Sequence, residues 1–189
     1  LRLDTEERHH LAALARAGTV PRTPAGPVPE GARQLLDTVR PCPAYVLSQI
    51  SDVLAANPEG LALLHGLTDW PPPRRNTARY TFLHPAAREL FADWAHSAAA
   101  TTANLHAVAA HQPDAPGLAE LVDELTAHSA DFVALWQRYD LRRRQGEAKT
   151  FHHPRMGTIT LTYEAVSTST TANASRSTRR PLAARPATR

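Results

Sequence analysis

Across residues 85–139 the apolar side chains recur at helical spacing in three successive runs, and this pattern constrains the fold more than any other feature. Leu90, Phe91, Trp94, Ala98, Leu105 and Val108 keep to one face of a long helix that Pro85 opens. After a break over residues 112–117, Leu118, Leu121, Val122 and Leu125 mark a second helix. Phe132, Val133, Leu135, Trp136 and Tyr139 mark a third, which Ser129 can cap. Side chains three and four apart share one helix face, and an apolar face must be buried against a neighbour. Three such helices in a row therefore call for a shared layer.

The flanking segments supply strands to cover that layer. Residues 44–49 and 52–55 read as two strands around a tight turn. Asn57-Pro58 is a helix start, with Asn as N-cap and Pro in the first turn, and the helix should run to Leu64. A proline-rich loop over 69–75 follows, and the chain turns helical again at Thr77. Residues 150–153 and 157–163 form an expected β-hairpin, in which Ile159, Leu161 and Tyr163 alternate toward one face. Helices and antiparallel strands in this order predict an α+β domain.

The two ends differ in kind. Residues 1–17 predict one short helix, with Asp4 and Glu7 as a capping-box variant. Residues 18–29 are a Pro-rich linker, and a further short helix is expected over 30–39. Residues 167–189 hold five Arg, no acid and almost no large apolar side chain, the composition of a disordered tail. Of the net charge of +3, that tail supplies +5 and residues 1–166 carry −2. The basic balance is thus a property of the tail and gives the body no DNA-binding face. Only Lys149 is lysine among 21 basic residues, a usage that accompanies GC-rich coding of the actinobacterial kind.

Composition excludes several chemistries. The single cysteine, Cys42, excludes a disulfide scaffold and a cysteine-based zinc site within this chain. No run of 18 apolar residues occurs, so no membrane partner is expected, and the default compartment is the cytoplasm. The ten histidines lack metal-ligand spacing: His9-His10 and His152-His153 are adjacent pairs, and His96, His106 and His111 do not recur at i, i+4. With no GxSxG, P-loop or GxGxxG, neither an enzyme nor a cofactor is expected.

Several residues keep two readings open. Asn57 is a helix N-cap or a polar contact in a pocket. Arg75 and Asn76 cap and solvate a loop–helix junction, or touch a ligand. Phe82, Trp94, Trp136 and Tyr139 are core, or walls of an apolar pocket between helices and sheet. Arg75 and Arg79 are candidate partners for a ligand carboxylate.

Four stretches taken together resemble a known family. They are DVLAANPEGLALL (52–64), RNTARYTFLHPAARELFADW (75–94), ELTAHSADFVALWQRYDLR (124–142) and FHHPRMGTITLTYE (151–164). Their order and spacing over residues 40–166 resemble the C-terminal domain of MmyB-like transcriptional regulators. The resemblance implies a PAS-like antiparallel sheet with packed helices over 30–166, binding a small apolar molecule such as a fatty acid. It further implies an N-terminal XRE-type helix-turn-helix domain, of which residues 1–17 look like the last helix. DNA would be reached only through that domain, and a homodimer is a possible assembly.

Three departures from the family pattern stand out. His106 occupies a position where the family usually has Arg, and Tyr139, before Asp140, one where it usually has His. After Val166 no apolar closing strand is evident, as a frameshifted or degenerate terminus would produce. The expectation is therefore a ligand-sensing domain of a transcription regulator, with a truncated regulator keeping only a dimerisation or interaction role as the alternative.

Overall fold

In the computed structural model, which describes residues 28–138, 148–165 and 176–177, the elements follow in the order α1 (Glu30–Thr38), β1 (Tyr45–Leu47), β2 (Val53–Ala56), α2 (Pro58–Leu63), α3 (Thr77–Leu83), α4 (Ala86–Leu90), α5 (Trp94–His111), α6 (Leu118–His128), α7 (Ala130–Arg138), β3 (Ala148–His153), β4 (Gly157–Thr162), β5 (Glu164–Ala165) and β6 (Arg176–Ser177). The class is α+β, as expected. The helix expected over 1–17, the linker expected over 18–29 as far as residue 27, Tyr139, and the tail expected over 167–189 apart from residues 176–177 lie outside the described residues.

Most helix starts are those that short polar side chains dictate. Asn57 Oδ1 accepts the Gly60 N–H at 2.8 Å and opens α2, with Pro58 in its first turn. Asn76 Oδ1 accepts from Ala78 and Arg79 at 2.8 and 2.9 Å and opens α3. Ser129 Oγ accepts from the Phe132 N–H at 3.2 Å before α7. The loop over 69–75 is tightened into two single-turn 3-10 segments, Leu67–Asp69 and Pro72–Arg74.

The long helix expected from Pro85 is divided. Phe91 leaves helical geometry and forms an isolated β-bridge with Phe151. The Ala92 N–H then donates to the Thr150 carbonyl at 3.1 Å. Asp93 restarts the chain as the cap of α5, accepting from the His96 N–H at 2.9 Å. Tertiary pairing with the hairpin thus overrides a continuous helical pattern, and Phe91 faces the hairpin rather than the helical layer.

Among the described residues, strand pairing comes in three two-stranded antiparallel pieces rather than one continuous sheet. Tyr45 pairs with Ala56 in β1–β2, and Phe151 with Ile159 in β3–β4. The third piece joins Glu164 to Ser177 and Ala165 to Arg176, and β6 lies beside β1. Residues 176–177, expected to be disordered, are therefore a short strand next to the strand that β1 begins.

Two large apolar cores result, beside a smaller one of Leu36, Ala44 and Val46. One, holding Tyr45, Leu67, Tyr80, Leu90, Phe91 and Phe151, sits between the hairpin, β1, α2 and α3. The other, holding Ile50, Leu105, Leu121, Leu125 and Phe132, joins α3, α5, α6 and α7. The α3 helix serves both, sending Tyr80 to the first and Ala78 to the second.

Candidate functional site

A continuous run of aromatic rings leads from the edge of the first core, at Trp94, into the second. Trp94 at the start of α5 meets Phe82 of α3 edge-on, with centroids 6.1 Å apart. Phe82 meets Phe132 of α7 edge-on at 5.1 Å, and Phe132 stacks on Trp136 one helical turn later at 5.3 Å. Trp136 in turn stacks on His106 of α5 at 3.9 Å and 11°. Edge-to-face and offset contacts of this kind suit the ring quadrupoles. Helical spacing explains the placement: Phe132 and Trp136 are four apart and share a face.

Polar atoms along this run are few and mostly engaged. The Trp94 Nε1–H donates to the Thr81 carbonyl at 2.8 Å. The guanidinium of Arg88 lies 3.8 Å over the Trp94 ring and also pairs with Asp131 on α7. His106 Nε2 stands 3.0 Å from the Trp136 carbonyl, which can only accept, so Nε2 carries the proton. Burial holds the His106 pKa below the usual histidine range, partly offset by that hydrogen bond. The ring is thus kept neutral beside an apolar wall. On the same helix Ser97, Thr102 and Asn104 are also buried.

The expected ligand contacts divide into two groups. Phe82, Trp94 and Trp136 are brought together in the ring run. The four polar candidates already hold protein partners. Asn57, besides capping α2, accepts from the Ala44 N–H at 3.0 Å and donates to the carbonyls of Cys42 and Leu36 at 2.8 and 3.2 Å. Asn76 donates to the Ile50 carbonyl at 2.8 Å and to Asp52 Oδ1 at 2.9 Å, tying the β1–β2 turn to α3.

The Arg75 Nε donates to the Trp70 carbonyl at 2.9 Å. Arg79 directs Nε and Nη2 to Glu124 Oε2 at 2.9 and 2.7 Å, joining α3 to α6. Arg79, with Arg74 adding to the effect, holds the Glu124 carboxyl below the usual carboxylate range. Arg79 thus meets a carboxylate, as the sequence suggests, but one belonging to the protein.

His106 joins the ring run only in three dimensions. The sequence signal for it was a histidine at a position of the family pattern usually held by Arg. Glu124 carried no signal, because its partner lies 45 positions away.

Among the described residues no group of three or more His, Cys, Asp or Glu side chains is placed to hold a metal ion. No helix among them is long and apolar enough to cross a membrane. What this site offers is an aromatic wall with a few fixed polar groups, the usual make-up of a small-molecule site.

The family model of the MmyB-like transcription regulator ligand binding domain matches residues 28–189. The chain belongs to this family. Among curated proteins none matches the chain. As an MmyB-like ligand-binding domain, it is a regulatory ligand-sensing module of a transcription regulator. The matched range takes in α1 and runs on through β6, so the segment after Val166 falls within the family's pattern.

Proposed function

We propose that this domain binds one small apolar molecule, of which a fatty acid is the leading candidate, and uses it to control DNA binding by an XRE-type helix-turn-helix partner domain. The observation that carries the reading is the ring run Trp94–Phe82–Phe132–Trp136–His106, which joins three helices of a family of ligand-binding domains. A ligand seated against it touches α3, α5 and α7 together and favours one arrangement of them over another. Control then follows from differential affinity for two states of the domain. The reading is non-enzymatic and cytoplasmic, with residues 1–17 as the last helix of the DNA-binding part and a homodimer as the operator-binding form.

Two findings favour sensing over a degenerate remnant: the strand at β6 and a family match that includes it. The test is a thermal shift with straight-chain fatty acids of graded length. At a free concentration about 100-fold above Kd, binding stabilises by about 2.7 kcal/mol. For a chain of this size that raises Tm by about 5–10 °C. A series with no shift at any length refutes the fatty-acid reading.

A further inference from the structure

Three histidines outside the ring run, His65, His84 and His153, gather around one short segment, residues 62–69. His153, buried at the end of β3, points Nε2 at the Ala62 carbonyl, 2.9 Å away. Its Nδ1 stands 3.2 Å from the amide nitrogens of both Arg155 and Met156 in the hairpin turn. A carbonyl accepts and an amide donates, so this ring is held as the neutral tautomer with its proton on Nε2. His84, at the end of α3, is used in the same way. Its Nδ1 accepts from the Ala86 N–H at 3.2 Å at the start of α4. Its ring lies against Gly66, where an added Cβ would come within 2.3 Å of Cε1. Gly66 has φ +84°, so glycine is required there on two counts.

The groups facing these rings are few. His65 meets His153 edge-on at 6.2 Å. Tyr80 stacks on His84 at 4.8 Å and donates its hydroxyl to the His65 carbonyl at 2.7 Å. Trp70 meets His84 edge-on at 5.2 Å. Asp69 Oδ2 is 4.0 Å from His84 Nε2, on a side chain that is 75 % exposed. Arg155 lies on the hairpin turn itself, and Glu59 of α2 is taken by Arg40. Burial lowers the His84 pKa, with Asp69 and a hydrogen bond to the Gly66 backbone opposing and His65 adding to the effect.

We propose that this histidine cluster is a proton-sensitive latch, in which neutral His84 and His153 fasten the α3–α4 joint and the β3–β4 hairpin to residues 62–69, and protonation unfastens them. A proton on either Nδ1 takes the lone pair that the backbone amides now use. The hairpin leads on through the Phe91–Phe151 bridge to the joint before Trp94, so the latch reaches the start of the ring run. Its action does not depend on the identity of the ligand, and its test uses none.

The experiment is an NMR titration of the isotope-labelled full chain from about pH 8 to about pH 5. It follows the rings of His84 and His153 with the amides of Ala86, Arg155 and Met156. The expected result is that each amide shifts with the midpoint of its own ring, while amides in the first turn of α6, away from His128 at its end, stay in place. In His153→Asn, which keeps an acceptor but does not titrate, the Arg155 and Met156 response is lost and that of Ala86 remains. Should that variant not fold, the wild-type titration alone decides. Rings that stay neutral to the end, amides that ignore their rings, or first-turn α6 amides moving at the same midpoint would each overturn the latch.

Discussion

Replacing Asn57 by Ala removes one side chain that serves four backbone groups. Its Oδ1 holds the N–H groups of Gly60 and Ala44 at 2.8 and 3.0 Å, and its Nδ2 reaches the carbonyls of Cys42 and Leu36 at 2.8 and 3.2 Å. Loss of the cap on α2 costs about 1 kcal/mol. Asn57 is only 2 % exposed, so the Ala44 amide and the two carbonyls lose their partner at a place water reaches poorly. A buried group left unsatisfied costs about 1–3 kcal/mol. The low end of that range for each of the three brings the total to about 4 kcal/mol, a loss few single substitutions reach. With a urea m-value of about 2 kcal/mol/M, the unfolding midpoint should fall by about 2 M. Asn57→Ser keeps a cap acceptor and should lose about 3 kcal/mol, about three quarters as much. The assay is urea unfolding of the 189-residue chain followed by far-UV circular dichroism. A midpoint for Asn57→Ala within about 0.5 M of wild type, equivalent to about 1 kcal/mol, would refute the structural role. It would return Asn57 to the set of side chains free to meet a ligand.

Three further outcomes are expected. Phe132→Ala, at a fully buried ring between Phe82 and Trp136, should destabilise by about 3–5 kcal/mol, while Phe132→Leu costs less; chemical denaturation checks both. The Glu124 carboxyl is held low by Arg79, so its ion pair stabilises the fold above the ordinary carboxylate range and is lost as pH falls through the lowered value. Arg79→Ala should therefore lower Tm at neutral pH and flatten its acid limb. His106 is held neutral in the fold, so the unfolded chain binds more protons and stability falls as pH drops below about 6.5. His106→Gln keeps a donor for the Trp136 carbonyl and should remove part of that decline in a Tm–pH profile, with an unchanged slope counting against the assignment.

Local chemistry was legible and long-range chemistry was not. Asn57, Asn76 and Ser129 could be placed at helix starts because capping is decided within three residues. The hairpin was legible because alternation and a turn sit side by side in the chain. The break at Phe91 was not, because its partner Phe151 lies in the hairpin and helical periodicity continues across the joint. The same holds for Arg79. Its fork could be expected to seek a carboxylate, but Glu124 becomes that carboxylate only when α6 packs on α3. The aromatic candidates were recognisable as a group, whereas their order along one run depends on how α3, α5 and α7 cross. The pairing of Arg176–Ser177 was not legible, because a two-residue strand needs no apolar side chains when a neighbouring backbone supplies the pairing.

Native mass spectrometry of the purified chain, with organic extraction of whatever copurifies, tests the central claim most directly. The expected spectrum shows a population carrying one extra small-molecule mass per chain, with an apolar compound recovered in the extract and the adduct reduced in Trp136→Ala. A spectrum of bare chain alone, joined to a flat thermal-shift series across the fatty acids, would contradict ligand sensing through the aromatic run.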